Sequence, residues 1–198
     1  LKLNNREYFN SIAEKWDSIA KHDINKIEKI LRMVKLEEGC RVLDVGTGTG
    51  IMIPFLHSYI GNTGEIIAVD IAENMIEVAR KKYNFKNVKF IAEDVLKIDF
   101  SENFFDCIMC YSMFPHFDNK KAAVEKLAKY LKKDGKFVIC HSQSRESINN
   151  LHKGLSDPVQ NDRLPDANQI AKCFDGALIR TTTIVDNDEM YVLIGTKM

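Results

Sequence analysis

Charge of one sign is what this sequence most clearly lacks: Lys and Arg number 28, and Asp and Glu also number 28. With no net field, the charge balance favours neither nucleic acid, nor an anionic membrane, nor an acidic partner. Long apolar runs are missing too, and none approaches the length of a membrane span. The first residues are polar, with Asn4, Asn5, Arg6 and Glu7 where a signal peptide would carry its apolar stretch. Cysteine is sparse. Cys40, Cys107, Cys110, Cys140 and Cys173 are odd in number and irregular in spacing, which argues against a disulfide framework and for a reducing, cytoplasmic setting. Low-complexity segments, internal repeats and a domain linker are absent as well. What remains is an ordinary globular balance, 45% hydrophobic and 28% charged over 198 residues. One α/β domain over 1–198 is expected, with neither nucleic acid nor membrane as a partner.

The first forty residues read as two helices. Tyr8, Phe9, Ile12, Trp16 and Ile19 recur at helical spacing; Ile24, Ile27, Leu31 and Val34 do so again after Asp23, a fitting N-cap, with Gly39 as a stop. Strands and helices then alternate. Strands are expected at 41–45, 65–69, 88–92, 105–111 and 136–141. Helices are expected from the glycine-rich stretch to about Tyr59, over 73–82, and from an Asp118 cap to Gly135. Strands that are apolar throughout and separated by helices imply a parallel sheet covered on both faces. The last two β-rich runs, 177–185 and 189–196, are joined only by Asp186-Asn187-Asp188, a link that permits an antiparallel hairpin and no parallel crossover. The expected fold is therefore α/β and Rossmann-like: five parallel strands plus a C-terminal antiparallel hairpin, seven strands in all, with helices on both faces.

The sharpest motif is Asp44-Val45-Gly46-Thr47-Gly48-Thr49-Gly50. A strand enters, glycines turn the chain, and a helix leaves. Backbone N–H groups at such a turn approach a ligand closely, and the helix N-terminus adds partial positive charge. Asp70 closes the next strand, where an acid takes both hydroxyls of a ribose. Asp94 lies just past the third, where its carboxylate can accept from an adenine amine. Acids at the carboxyl ends of successive strands line one crevice, the usual ligand site of open α/β sheets.

These residues resemble the class I S-adenosylmethionine-dependent methyltransferases, in particular the small-molecule branch similar to the ubiquinone/menaquinone C-methyltransferases. The resemblance implies S-adenosylmethionine as cofactor, S-adenosylhomocysteine as product, and a small-molecule methyl acceptor as partner. It implies that Asp44, Gly46, Thr47 and Gly48 belong to the cradle for the methionine half, and that Asp70 grips the ribose. Ile71 and Met75 would flank adenine, Asp94 and Val95 would meet its edge, and Tyr111 with Ser112 would sit near the sulfonium. The helices of 1–39 would cover the cofactor, with Tyr8 near it and Trp16 behind. Tyr111-Ser112-Met113-Phe114-Pro115-His116 departs from the Asn/Asp-Pro-Pro-Tyr of many enzymes that methylate planar amines. The spacing also departs from the Gly-x-Gly-x-x-Gly of a nicotinamide-dependent oxidoreductase, the rival enzyme; a non-catalytic S-adenosylmethionine-binding protein is the other alternative.

Methyl transfer from a sulfonium is an in-line displacement that depends on alignment and exclusion of water, with a base only where the nucleophile carries a proton. His116 follows the fourth strand and His141 ends the fifth. Both are expected to open onto the substrate side as base or substrate contact. His152 lies on a helix beyond them, but the spacing of the three histidines matches no known metal site, and no metal is expected. Cys107 and Cys110, three apart on a strand, face opposite sides and read as core. Residues 141–165 hold Arg145 and Arg163 and are expected to close as a lid over the substrate.

Overall fold

A computed structural model describes residues 4–155 and 158–198. The N-terminal segment forms α1 (Asn5–Ile12), a 3₁₀ turn at Ala13–Lys15, α2 (Trp16–Ile19) and α3 (Ile24–Val34). Then follow β1 (Arg41–Val45), α4 (Ile53–Ile60), β2 (Glu65–Asp70), α5 (Glu73–Lys82), β3 (Val88–Ala92) and β4 (Phe105–Tyr111). The chain closes with α6 (Lys120–Tyr130), β5 (Leu131–His141), α7 (Arg145–Lys153), α8 (Ala167–Gly176), β6 (Ile179–Asp186) and β7 (Tyr191–Lys197).

The seven strands form one sheet in the order β3-β2-β1-β4-β5-β7-β6. β1 to β5 run parallel, and β7 returns antiparallel between β5 and β6. This is the expected seven-stranded arrangement. The order steps outward in both directions from β1, which makes the carboxyl ends of β1 and β4 the switch point where such sheets bind ligands.

Two apolar layers sandwich the sheet. One contains Leu43, Val45, Ile67, Val69, Ile108, Cys110 and Phe137, packed with α6 and α8; the other contains Val42, Ile66, Ala68, Cys107, Met109 and Val138, packed with α3 and α4. Cys107 and Cys110 thus fall on opposite faces, and burial pushes both thiols well up. They are packing groups. α3 buries Ile27, Ile30, Leu31 and Val34, the apolar stripe visible in its sequence. Among the described residues no helix is long and apolar enough to cross a membrane.

Several boundaries differ from expectation for tertiary reasons. The first helix breaks at Ala13, where the chain tightens as Ala13 packs against Ala72 and Met75 beside α5. Asp23 caps α3 as expected, accepting from Lys26 N, but the helix ends earlier than Gly39, at a left-handed Lys35 (φ 57°). Asn119 rather than Asp118 caps α6, accepting from Ala122 N. That helix stops at Tyr130, not Gly135. The carbonyls of Lys129 and Tyr130 accept from Asn103 N and Phe104 N at 3.1 and 2.8 Å, and the chain passes directly into β5.

Candidate active site

The site grows from the end of β1. Gly46 turns the chain at φ +66°, and a Cβ there would stand 2.6 Å from Met113 Cβ. Only glycine fits both the conformation and the space. Thr47 N donates to Val69 O (3.0 Å), and Gly50 N closes the turn on Thr47 O (2.9 Å). Beneath the loop Asp44 is fully buried, and its Oδ2 accepts from the Thr47 hydroxyl at 2.6 Å. Burial pushes this carboxyl up to about 7; the Thr47 hydrogen bond opposes that rise and nearby Asp70 adds to it. Asp44 is absent from the cavity wall. It braces the loop from below because its strand buries both faces at that point.

Asp70 ends β2 and does reach the wall. Its Oδ2 accepts from Gly48 N at 2.8 Å and its Oδ1 from Ala72 N at 2.9 Å. Burial raises this carboxyl, with the two backbone donors working against the rise. Each oxygen keeps a second lone pair for a ligand. Past β3, Asp94 Oδ1 accepts from Leu96 N (2.9 Å). Gly46, Thr47, Gly48, Asp70, Ile71, Met75, Asp94, Val95 and Tyr111 all line one cavity of about 760 Å³.

The N-terminal helices form the cavity's outer wall through Phe9 and Trp16, which meet edge to face at 5.7 Å. Tyr8 does not line the cavity. It stacks edge-on behind Phe9 at 5.2 Å, because the helix turns the neighbouring residue inward. This corrects the expected placement of Tyr8 in front with Trp16 behind. Polar ties hold the segment down: Arg6 pairs with Glu73, Asn10 Oδ1 accepts from Asn74 N (2.9 Å), and Asp17 pairs with Lys82 (2.7 Å).

The remaining wall carries hydroxyls and imidazoles. Tyr111 follows directly in β4. Its hydroxyl lies 3.0 Å from His22 Nδ1 and 2.9 Å from Ser142 Oγ. Burial pushes Tyr111 up to about 12 and His22 down, so both are neutral near pH 7. His116 also faces the cavity; its Nδ1 is 2.6 Å from Asp162 Oδ2, and the Phe9 ring meets it edge-on at 5.1 Å.

His141 is not part of the wall. β5 continues in register with β7 up to the pair His141 and Tyr191, and the hairpin covers the strand end that would otherwise open on the crevice. The residue is 1% exposed, and among the described residues neither ring nitrogen has a hydrogen-bond partner. Burial, with His116 and His152 nearby, pushes it down to about 3. It is a neutral interior residue. Among the described residues no three His, Cys, Asp or Glu side chains come together to hold a metal.

The segment expected as a lid behaves unevenly. Arg145 is committed elsewhere: its Nε donates to Asp186 at 2.9 Å, which ties α7 to the hairpin. Arg163 is exposed and away from the cavity, whereas Pro158 and Asp162 do line it. Residues 156 and 157 of that segment lie outside the described residues, as do residues 1–3 of the covering segment. Sequence reasoning missed Phe9, His22 and Asp162 as wall residues. His22 was masked by its position beside a helix cap, and Asp162 is a lone carboxylate whose partner is 46 residues away.

A glycine turn with a buried acid beneath it, carboxylates at two further strand ends, and an antiparallel β7 within the sheet define the methyltransferase class of Rossmann-like folds. Residues 36–191 match the family model described as a methyltransferase domain. The chain belongs to the class I S-adenosylmethionine-dependent methyltransferases, whose cosubstrate is S-adenosylmethionine. It is 30% identical over 156 residues to the ubiquinone/menaquinone biosynthesis C-methyltransferase UbiE of Pseudomonas aeruginosa, covering 74% of this chain and 60% of that protein. It is 27% identical to a demethylmenaquinone methyltransferase of Staphylococcus aureus, covering 71% of this chain and 60% of that protein. The chain thus spans about 60% of the length of these curated relatives. Among solved structures, an S-adenosylmethionine-dependent methyltransferase from Aquifex aeolicus superposes with a TM-score of 0.75 at 24% identity, covering 96% of this chain and 98% of that one. The nicotinamide reading is thereby set aside.

Proposed function

We infer that this chain transfers a methyl group from S-adenosylmethionine to a small-molecule acceptor by in-line displacement. One observation carries the reading: a single cavity joins the glycine turn and its carboxylates to a wall of aromatic, hydroxyl and imidazole groups. The first part suits an adenosyl amino acid. Gly46, Thr47 and Gly48 offer close backbone at the methionine end, Asp70 takes the ribose, Ile71 and Met75 hold the adenine faces, and Asp94 with the Val95 N–H takes its edge. Asp44 acts from beneath, through Thr47. When bound, the cosubstrate supplies a methyl carbon made electrophilic by its sulfonium. The second part, around Tyr111, Met113 and His116, receives the acceptor, while Phe9 and Trp16 exclude water from the gap. Names that refer to C-methyl transfer in ubiquinone and menaquinone biosynthesis support a small molecule as acceptor.

Calorimetry with S-adenosylmethionine and S-adenosylhomocysteine tests the first part. Binding of both is expected, with Asp70→Ala weakening it by roughly a hundredfold, the scale of two hydrogen bonds to a charged acceptor. Transfer of a labelled methyl group to a metabolite panel tests the second. No affinity for either compound would remove the reading; affinity without transfer to any acceptor would make the chain a binding protein.

A further inference from the structure

We propose that His116 and Asp162 form a proton-accepting pair, His116 taking the proton of a weakly acidic acceptor hydroxyl and Asp162 fixing the imidazole for that task. The proposal rests on the methyl-transfer reading above and deepens it. It begins with a chain of hydrogen bonds that runs inward to the cavity. His152, buried on α7, has its Nδ1 at 2.9 Å from the backbone carbonyl of Asp162. A carbonyl only accepts, so His152 donates, which sets its tautomer and holds Asp162 in place. The backbone of Asp162 is tied again at its other end, with its N–H on Val159 O at 3.1 Å. Its side chain then meets His116 Nδ1 at 2.6 Å. A carboxylate facing Nδ1 places the ring proton there and leaves Nε2 bare. Among the described residues Nε2 has no hydrogen-bond partner, and the side chain lines the cavity and is 16% exposed.

The ring is held on its flanks as well. Phe9 meets it edge-on at 5.1 Å, and the His152 ring lies 5.3 Å away. The charged and titratable groups around it include Asp162 and His152 from the segment after β5, His141 at the end of β5, Asp70 at the end of β2, and Asp118 on the same cavity wall. Lys120 faces Asp162 from α6, its ammonium held by the carbonyls of Pro115 and Phe117 at 3.0 and 2.9 Å. Asp162 is the carboxylate in hydrogen-bond contact with the imidazole, and it stabilises the imidazolium that forms on proton transfer.

An acceptor hydroxyl fits this pair because a neutral O–H is a poor nucleophile until its proton has somewhere to go. As the acceptor oxygen bonds to the methyl carbon, the carbon–sulfur bond breaks and its electron pair remains on sulfur. The hydroxyl proton passes to Nε2 of His116. The neutral thioether product and the imidazolium beside Asp162 balance the step, and the imidazolium loses its proton to water once the product leaves. His116 is the catalytic residue and Asp162 a positioning residue.

The test uses the full chain saturated with S-adenosylhomocysteine, and calorimetry on each variant verifies that the cradle is intact. Nitrogen chemical shifts of the imidazoles at pH 8 should show His116 with its proton on Nδ1. Asp162→Asn should move that proton to Nε2, because the carboxamide can donate to Nδ1. With 4-nitrophenol as probe, whose ionised form absorbs in the visible, the wild type at pH 6 should hold the phenolate. Asp162→Asn and His116→Gln should each lower that absorbance by roughly tenfold, as the ion loses its paired imidazolium. A wild-type His116 with its proton on Nε2 overturns the proposal, as does a phenolate signal that is missing from the wild type or unchanged in both variants. Failure of the wild type to bind S-adenosylhomocysteine would break the methyl-transfer reading itself, and the proposal with it.

Discussion

The two walls of the cavity are built on different principles. The wall around Gly46, Asp70 and Asp94 is made by backbone: turns, strand ends and N–H groups, with each acid acting beside its own strand. The opposite wall, around Tyr111, His116 and Asp162, is made by side chains that reach one another across the chain. The first wall resists change in shape and tolerates little at its glycines. The second is sensitive to chemistry, because its hydrogen bonds depend on which atoms carry protons. Backbone wall and side-chain wall should therefore fail differently.

Gly46→Val is the strongest way to break the first wall. The new side chain meets Met113 and sits at positive φ, so S-adenosylhomocysteine affinity should fall below detection and the melting temperature should drop by about 5 °C or more. Normal binding by this variant would show that the turn is not the cradle.

Asp44→Asn separates bracing from contact. The folded carboxyl is raised to about 7 from an ordinary 3.8. Its stabilising contribution is therefore full below about 3.8 and lost as pH rises through about 7, a swing of a few kcal/mol. Asn can keep the Thr47 hydrogen bond without that loss. The variant should melt about 10 °C higher than wild type at pH 8 and close to it at pH 4, by calorimetric scans, because each kcal/mol moves a protein of this size by about 2–4 °C.

His141→Phe sharpens the other side of the comparison by removing the histidine that only packs. The folded imidazole is lowered to about 3 from 6.5, so its charging destabilises the protein as pH falls from about 6.5 towards 3. The variant should flatten the acid limb of the stability profile and shift stability at pH 7 by about 1 kcal/mol or less, since buried polar groups without partners contribute nothing to replace. A loss of stability at pH 5 as large as that at pH 8 would show that His141 has a partner in solution.

The same contrast explains what the sequence could tell. Asp44 to Gly50 lie within seven residues, and Asp70 and Asp94 each follow their own strand, so local order located these groups; that Asp44 lies beneath the loop and off the wall follows only from its burial in the folded sheet. Three residues between two β runs were enough to require the hairpin. The second wall was only half legible. His116 stood out because it follows β4, but its partner Asp162 and the pairing of His22 with Tyr111, 89 residues apart, leave no periodic or local mark. His141 was misplaced for a related reason: its position at a strand end was read correctly, and only the register with β7 reveals that the end is covered. Helix ends set by distant donors, as at Tyr130, share that character.

The polar ties of the N-terminal helices have a kinetic consequence. The helices that carry Phe9 and Trp16 over the glycine turn are held to α5 by Arg6–Glu73 and Asp17–Lys82, both pairs at least partly open to solvent. Such pairs weaken as salt shortens the reach of charge. Residence time of bound S-adenosylhomocysteine, followed by stopped flow, should shorten by roughly two- to threefold between dilute and molar salt, so that ionic strength sets how firmly this strap is fastened.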